Sequence, residues 1–121
     1  MAESAHSYWD LIEPVLDEIN IYDGEANFLK SIQPISRPLV LLYAAHFCQS
    51  EVCNGGFLQF FKNSTGVLCP EAIEGFKLIG MPQLASVIET AAALLGSPYP
   101  RDREARSNAL LAASRLEENE L

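Results

Sequence analysis

The sequence predicts an all-α fold, a compact single domain over residues 1–121 with no significant sheet. Three observations carry this. Apolar residues recur at helical spacing in one stretch after another. No stretch alternates apolar and polar residues long enough to make a half-buried strand. Gly and Pro fall where such helices would stop and start. About five to seven helices result from this periodicity. A chain of 121 residues, 49% apolar and 20% charged, can bury a core without disulfides or a metal. No repeat, low-complexity tract or linker divides it.

An acidic helical segment spans 1–33. Residues 8–19 place Tyr8, Ile12, Val15, Leu16 and Ile19 on one face at 100° per residue. Pro14 lies inside that pattern and either kinks the helix or splits it near Glu13. Asp23-Gly24 reads as a turn, and 25–32 as a short helix ending before Pro34.

A core region spans 36–80. Ser36 is placed as an N-cap, with Pro38 in the first turn. Leu39, Leu42, Tyr43, Ala45, His46 and Phe47 follow without a charge until Glu51, as in a central helix. Gly55-Gly56 interrupts it, Phe57 to Phe61 resumes it, and Asn63 to Gly66 reads as a loop. Pro70 opens a short helix, with Glu71 and Glu74 as acids at its positive end. Gly80 ends it as a left-handed cap.

Two helices follow, 82–96 and 101–117. The first carries a stripe of Leu84, Val87, Ile88, Ala91 and Leu95. The second sets Ala105, Ala109, Ala112, Ala113 and Leu116 on a face of small residues that allows close approach to a neighbour. Glu117, Glu118 and Glu120 oppose the helix dipole, so fraying is expected there, or a natural sequence that once continued.

The formal net charge is −8, from 16 acidic and 8 basic residues. Such a balance argues against binding nucleic acid directly or an anionic membrane, and suits a basic protein partner. Its distribution says more. Residues 1–29 hold Glu3, Asp10, Glu13, Asp17, Glu18, Asp23 and Glu25 and no Lys or Arg, a charge of −7. The other 9 acids and 8 bases leave −1 for the rest. The N-terminus lacks the basic and apolar regions of a signal peptide. The longest apolar run, Leu39 to Cys48, is about half the length needed to cross a bilayer. Cys48, Cys53 and Cys69 are read as free thiols, mostly buried, in a reducing cytoplasm.

Polar residues Glu51, Asn54, Gln59, Asn63 and Ser64 are set among Phe57, Phe60 and Phe61, around the Gly55-Gly56 break. Two readings are open. In the structural one, which is favoured, they satisfy backbone groups near the break. In the functional one they form a small polar ligand pocket.

Residues 51–80 resemble the signature of the bacterial DNA-mimic protein family, a small helical domain otherwise of unknown function. The matching elements are Glu51-Val52, Asn54-Gly55-Gly56-Phe57, Gln59-Phe60-Phe61, Asn63-Ser64, Gly66, Pro70-Glu71 and Ile79-Gly80. With its flanking helices the resemblance covers about residues 36–116. It implies an all-helical, dimeric, cytoplasmic protein without enzymatic activity. It also implies a role: offering a DNA-like array of carboxylates to a DNA-binding protein such as a transcriptional regulator, and so keeping it off DNA.

The acidic segment is the place to test that role. On a continuous helix from Tyr8, Asp10, Glu13 and Asp17 share a narrow arc opposite Ile12, Leu16 and Ile19. Their steps of three and four residues rise ~4.5–6 Å. Phosphates along one strand advance about 3.4 Å each, so the stripe is sparser but of the same order. Asp23 and Glu25 extend it, and Glu18 adds to the face. A two-fold dimer would repeat the array. Ordinary solvated faces mix both signs of charge; this one does not. An immunity or antitoxin-like protein that neutralises a basic toxin or nuclease would use the same residues.

Other chemistries are weaker. His46, Cys48, Cys53 and Cys69 match no zinc spacing, and His46 and Cys48 point different ways on a helix. His46 is read as a core-edge residue and His6 as near a mobile terminus. There is no phosphate loop, dinucleotide fingerprint or nucleophile elbow. Neither a catalytic residue, a metal nor a cofactor is expected.

Overall fold

A computed structural model of the chain describes residues 9–120, with side chains through Ser114. The readings for His6, Tyr8, Leu116 and the acids at 117, 118 and 120 lie outside the described residues or side chains. Every regular element is helical, and no strand occurs among the described residues. The helices are α1 (Glu25–Ile32), α2 (Arg37–Lys62), α3 (Cys69–Leu78), α4 (Pro82–Ala93) and α5 (Arg103–Glu120), with 3-10 turns at Glu13–Val15 and Ser64–Leu68. The last two helices start or stop two or three residues away from the expected 96, 101 and 117.

The long helix α2 is central. Its first half is apolar nearly all round and buries Val40, Leu41, Tyr43, Ala44, Ala45 and Cys48. Helix α3 crosses it closely because Gly75 has no side chain: a β-carbon there would stand 3.1 Å from Cβ of Ala45. Helix α4 packs on α3, and α5 packs on α2. The core between them is built on Phe28, Phe60, Phe76, Leu68 and Ile88.

Only one of the two adjacent glycines breaks α2. Gly56 has φ 81° and ψ −178°, which glycine alone adopts without strain. Gly55 stays helical and supplies space instead, since a β-carbon there would collide with the folded-back Gln59 side chain. Ser36 stands at the N-cap of α2, but its side chain makes no capping hydrogen bond. The segment read as a loop, Asn63 to Gly66, enters a 3-10 turn in which Thr65, Gly66, Val67 and Leu68 are buried. At the end of α3, Gly80 has φ 83° and the Met81 amide donates to the Phe76 carbonyl at 2.7 Å, as a left-handed cap requires.

Three expectations about faces are corrected. In α4, Ile88 is buried, as is Leu95 just past its end, but Val87 is 52% exposed, and Ala85 and Ala92 take the inner positions. In α5 the packed stripe is Arg106, Ala109, Leu110 and Ala113, while Ala105 and Ala112 face solvent. A charged residue, Arg106, therefore occupies the most buried position of this stripe. The third correction concerns residues 9–19. Helix persists only over residues 9–12, and the chain then makes the 3-10 turn at Glu13–Val15 and further turns at 16–18. Pro14 has no amide hydrogen for the helical ladder, and its ring clashes with the carbonyl four residues back. The apolar face survives, with Ile12, Val15 and Ile19 buried. The regular carboxylate arc through Asp17 does not.

Candidate functional site

The acidic segment is exposed throughout. Asp10, Glu13, Asp17, Glu18, Asp23 and Glu25 all face solvent. Beyond Ile19 the backbone is held by an asparagine turn. Oδ1 of Asn20 accepts from the amides of Tyr22 and Asp23 at 2.9 and 3.2 Å. Nδ2 of Asn20 donates to Oδ2 of Asp23 at 2.9 Å, and the Asn20 amide donates to Oγ of Ser31 at 2.9 Å. Asn27 Nδ2 closes the turn on the Asp23 carbonyl at 2.9 Å. Asp23 and Glu25 are thus set at a built turn, beside acids on an irregular path.

None of the six carboxylates belongs to an ion pair among the described residues. The ion pairs there join Arg37 and Arg101 to Glu71 and Glu74. Four arginines of the body are held by acceptors of the body. Arg37 reaches Oε2 of Glu74 at 2.7 Å, and Arg103 Nε donates to the Lys62 carbonyl at 3.0 Å. Arg101 forms a two-pronged pair with Glu71 at 3.0 and 2.8 Å and donates to the Val67 carbonyl at 3.0 Å. Its guanidinium carbon lies 5.5 Å from the ring centre of Phe28, on α1. Glu71 is a first-turn acid, as expected, and is also a buried structural partner, 3% exposed.

The polar motif folds into one closed cluster across the Gly56 break. Oε2 of Glu51 accepts from Gln59 Nε2 at 2.7 Å. Oε1 accepts from Asn63 Nδ2 at 3.1 Å and Thr65 Oγ1 at 2.7 Å. Burial acts to raise the Glu51 carboxyl, but the bonds from Gln59, Thr65 and Asn63 outweigh it and hold the group below its ordinary pKa. Three of about four acceptor positions on the carboxylate are filled from within the chain. Asn54 is exposed and makes no bond to this cluster; neither does Ser64. Phe57, Phe60 and Phe61 stack beside it, with Phe60 and Phe61 buried. Glu51, Gln59, Asn63 and Thr65 thus bond one another, and not backbone groups at the break as the structural reading expected; Thr65 is the member that spacing did not reveal.

Arg106 was the other residue missed. It is 1% exposed, and its side chain donates to the carbonyls of Phe61 (2.8 Å), Asn63 (2.7 Å) and Arg101 (2.5 Å). Its register with Ala109, Leu110 and Ala113, at steps of three, four and seven, was the available signal.

Cys48 and Cys69 are buried and Cys53 is exposed. No three His, Cys, Asp or Glu side chains among the described residues come together to hold a metal. No helix among the described residues is long and apolar enough to cross a membrane.

Against known proteins, the family model described as DMP19-like protein matches residues 33–120. That span holds the Glu51 cluster, both arginine networks and helices α2 to α5; the six exposed acids precede it. No curated protein and no solved structure matches the chain.

Proposed function

The chain belongs to the DMP19-like protein family, and on that premise we propose that it is a non-enzymatic DNA mimic, presenting carboxylates to a basic DNA-binding protein such as a transcriptional regulator. The observation that carries this reading is the state of its charges. Asp10, Glu13, Asp17, Glu18, Asp23 and Glu25 are exposed and outside every ion pair among the described residues. Four of the body's arginines are tied to internal acceptors and do not neutralise them. An unneutralised anionic surface steers a basic partner into encounter, and salt weakens that attraction. The partner meets a bent, turn-held surface, so the mimicry is one of charge density and not of a straight phosphate row.

The protein works in the cytoplasm as a homodimer, which doubles the acidic array by symmetry. A ligand pocket at Glu51 is disfavoured because its carboxylate is already occupied by Gln59, Asn63 and Thr65.

Capture of partners from the source organism tests the proposal. The expected partner is a DNA-binding regulator, released by salt and displaced by DNA. Capture of a basic toxin or nuclease would move the assignment to an immunity protein. Unchanged partner binding after replacing Asp10, Glu13 and Asp17 by Asn and Gln would remove the acidic segment from the mechanism. Light scattering that returns a monomer mass at all working concentrations would reject the dimer.

A further inference from the structure

Arg106 presents an anomaly of charge. Buried charges are ordinarily paired with an opposite charge, yet the three acceptors of this 1% exposed guanidinium are neutral backbone carbonyls. The nearby carboxylates make no hydrogen bond to it, although Asp102 favours its charge across space. Glu71 takes both prongs of Arg101, and Oδ2 of Asp102 accepts from the Ala105 amide at 3.0 Å, capping α5. Arg103 adds a second cation, and it too donates to a carbonyl, that of Lys62.

Beside this group lies a small cleft of about 30 Å³, lined by Arg101, Arg103, Arg106, Ser64, Val67 and Gly24. Roughly 10–15 Å³ is enough for one water-sized occupant, so the cleft has room for a small ion. A guanidinium has five N–H donors; Arg106 spends three of them on its carbonyls. Three arginines therefore line one small space, in a protein that is otherwise strongly acidic.

We infer that the cleft between Arg103 and Arg106 is a binding site for a small monovalent anion of chloride size, which adds a counter-charge in direct reach of the two guanidinium groups. The anion joins the Ile21–Gly24 turn to the start of α5, since Ile21, Tyr22 and Gly24 form the opposite wall. The inference stands apart from the proposed partner, because none of the six exposed acids lines the cleft.

Thermal unfolding of the full chain at fixed ionic strength tests it, with chloride exchanged against gluconate, a much bulkier anion. The expected result is a saturable rise in Tm with chloride. Arg103→Gln removes one exposed cation from the wall and should shift half-saturation roughly tenfold upward, as for loss of one charge-assisted hydrogen bond. Lys77→Gln, which removes the same charge from an exposed position outside the cleft, should leave the response unchanged. A Tm that follows ionic strength alone overturns the inference, as does an Arg103→Gln protein that responds like the parent. Bromide-soaked crystals give a readout independent of stability: an anomalous peak within hydrogen-bond reach of Arg106 is expected, and a cleft without one counts against the site.

Discussion

The guanidinium of Arg106 lies against Gly66 so closely that a β-carbon at position 66 would come within 2.6 Å of Nε and 2.8 Å of Cζ. Gly66 is buried, and Arg106 is held by carbonyls on both sides of it in the chain, those of Phe61 and Asn63 and that of Arg101. This glycine, inside the family-like motif, is thus required by space for a cation some forty residues later. Gly66→Ala should destabilise the protein by about 1–3 kcal/mol, the usual cost of overpacking a filled interior. Urea unfolding checks this. A loss within error of zero would mean that Arg106 can move aside without losing its carbonyls.

Glu51 makes stability depend on pH. Its folded-state pKa lies below the ordinary value because Gln59, Thr65 and Asn63 donate to the ionised form against the opposing effect of burial. Its stabilisation is present above the unfolded value of about 4.3 and is lost as pH falls through the folded value. Glu51→Gln should be less stable than the parent near neutral pH by about 1–3 kcal/mol. The gap should narrow as pH drops below 4.3. Unfolding midpoints of both proteins across pH 3–7, on the order of the carboxylate range, give the comparison; a gap independent of pH would rule out the ionised carboxylate as its source.

Arg101 and Glu71 form a pair in which the acid is buried and the arginine nearly so, with side chains 4% and 15% exposed. Removing one partner leaves a buried charge unmatched. Arg101→Gln is expected to cost about 3–5 kcal/mol, and replacing both residues by apolar ones of similar volume much less. A double-mutant cycle with Glu71→Gln measures the coupling. Since Arg101 also lies over Phe28, Arg101→Gln should loosen α1 as well, read as faster hydrogen exchange over Glu25–Ile32.

The thiols should divide by burial. Cys69 is pushed up to about 12, chiefly by desolvation, and Cys48 is raised for the same reason. The thiolate is the reactive form, so both should resist labelling in the folded state while exposed Cys53 reacts. One fast thiol per described chain, with two more appearing in denaturant, is the expected titration. Fast reaction at three would contradict the packing of α2 against α3.

Much of this was legible from the chain. Helical spacing, the break at the glycine pair, the cap at Gly80 and the confinement of charge to the first quarter all follow from residues within a few positions of one another, as does the family-like motif. Other features were not. Glu71 sits at a helix start, where an acid is favoured by the dipole alone, so nothing local marked it as the partner of Arg101, thirty residues on. Arg106 sits in a stripe otherwise apolar, and its acceptors lie 45 and 43 residues back, at Phe61 and Asn63. Thr65 joins Glu51 only because Gly56 redirects the chain between them.

The sequence by itself determined that the protein is helical, that its body is nearly neutral and that its acidic charge lies in one segment, because periodicity and composition are properties of short stretches. Tertiary structure decided which charges are spent and which remain available. A charged side chain can be buried only where acceptors from distant elements meet it, and those acceptors exist only once the helices have packed. That is why Glu71 and Arg106 vanish into the interior while the acids from Asp10 to Glu25 stay in solvent.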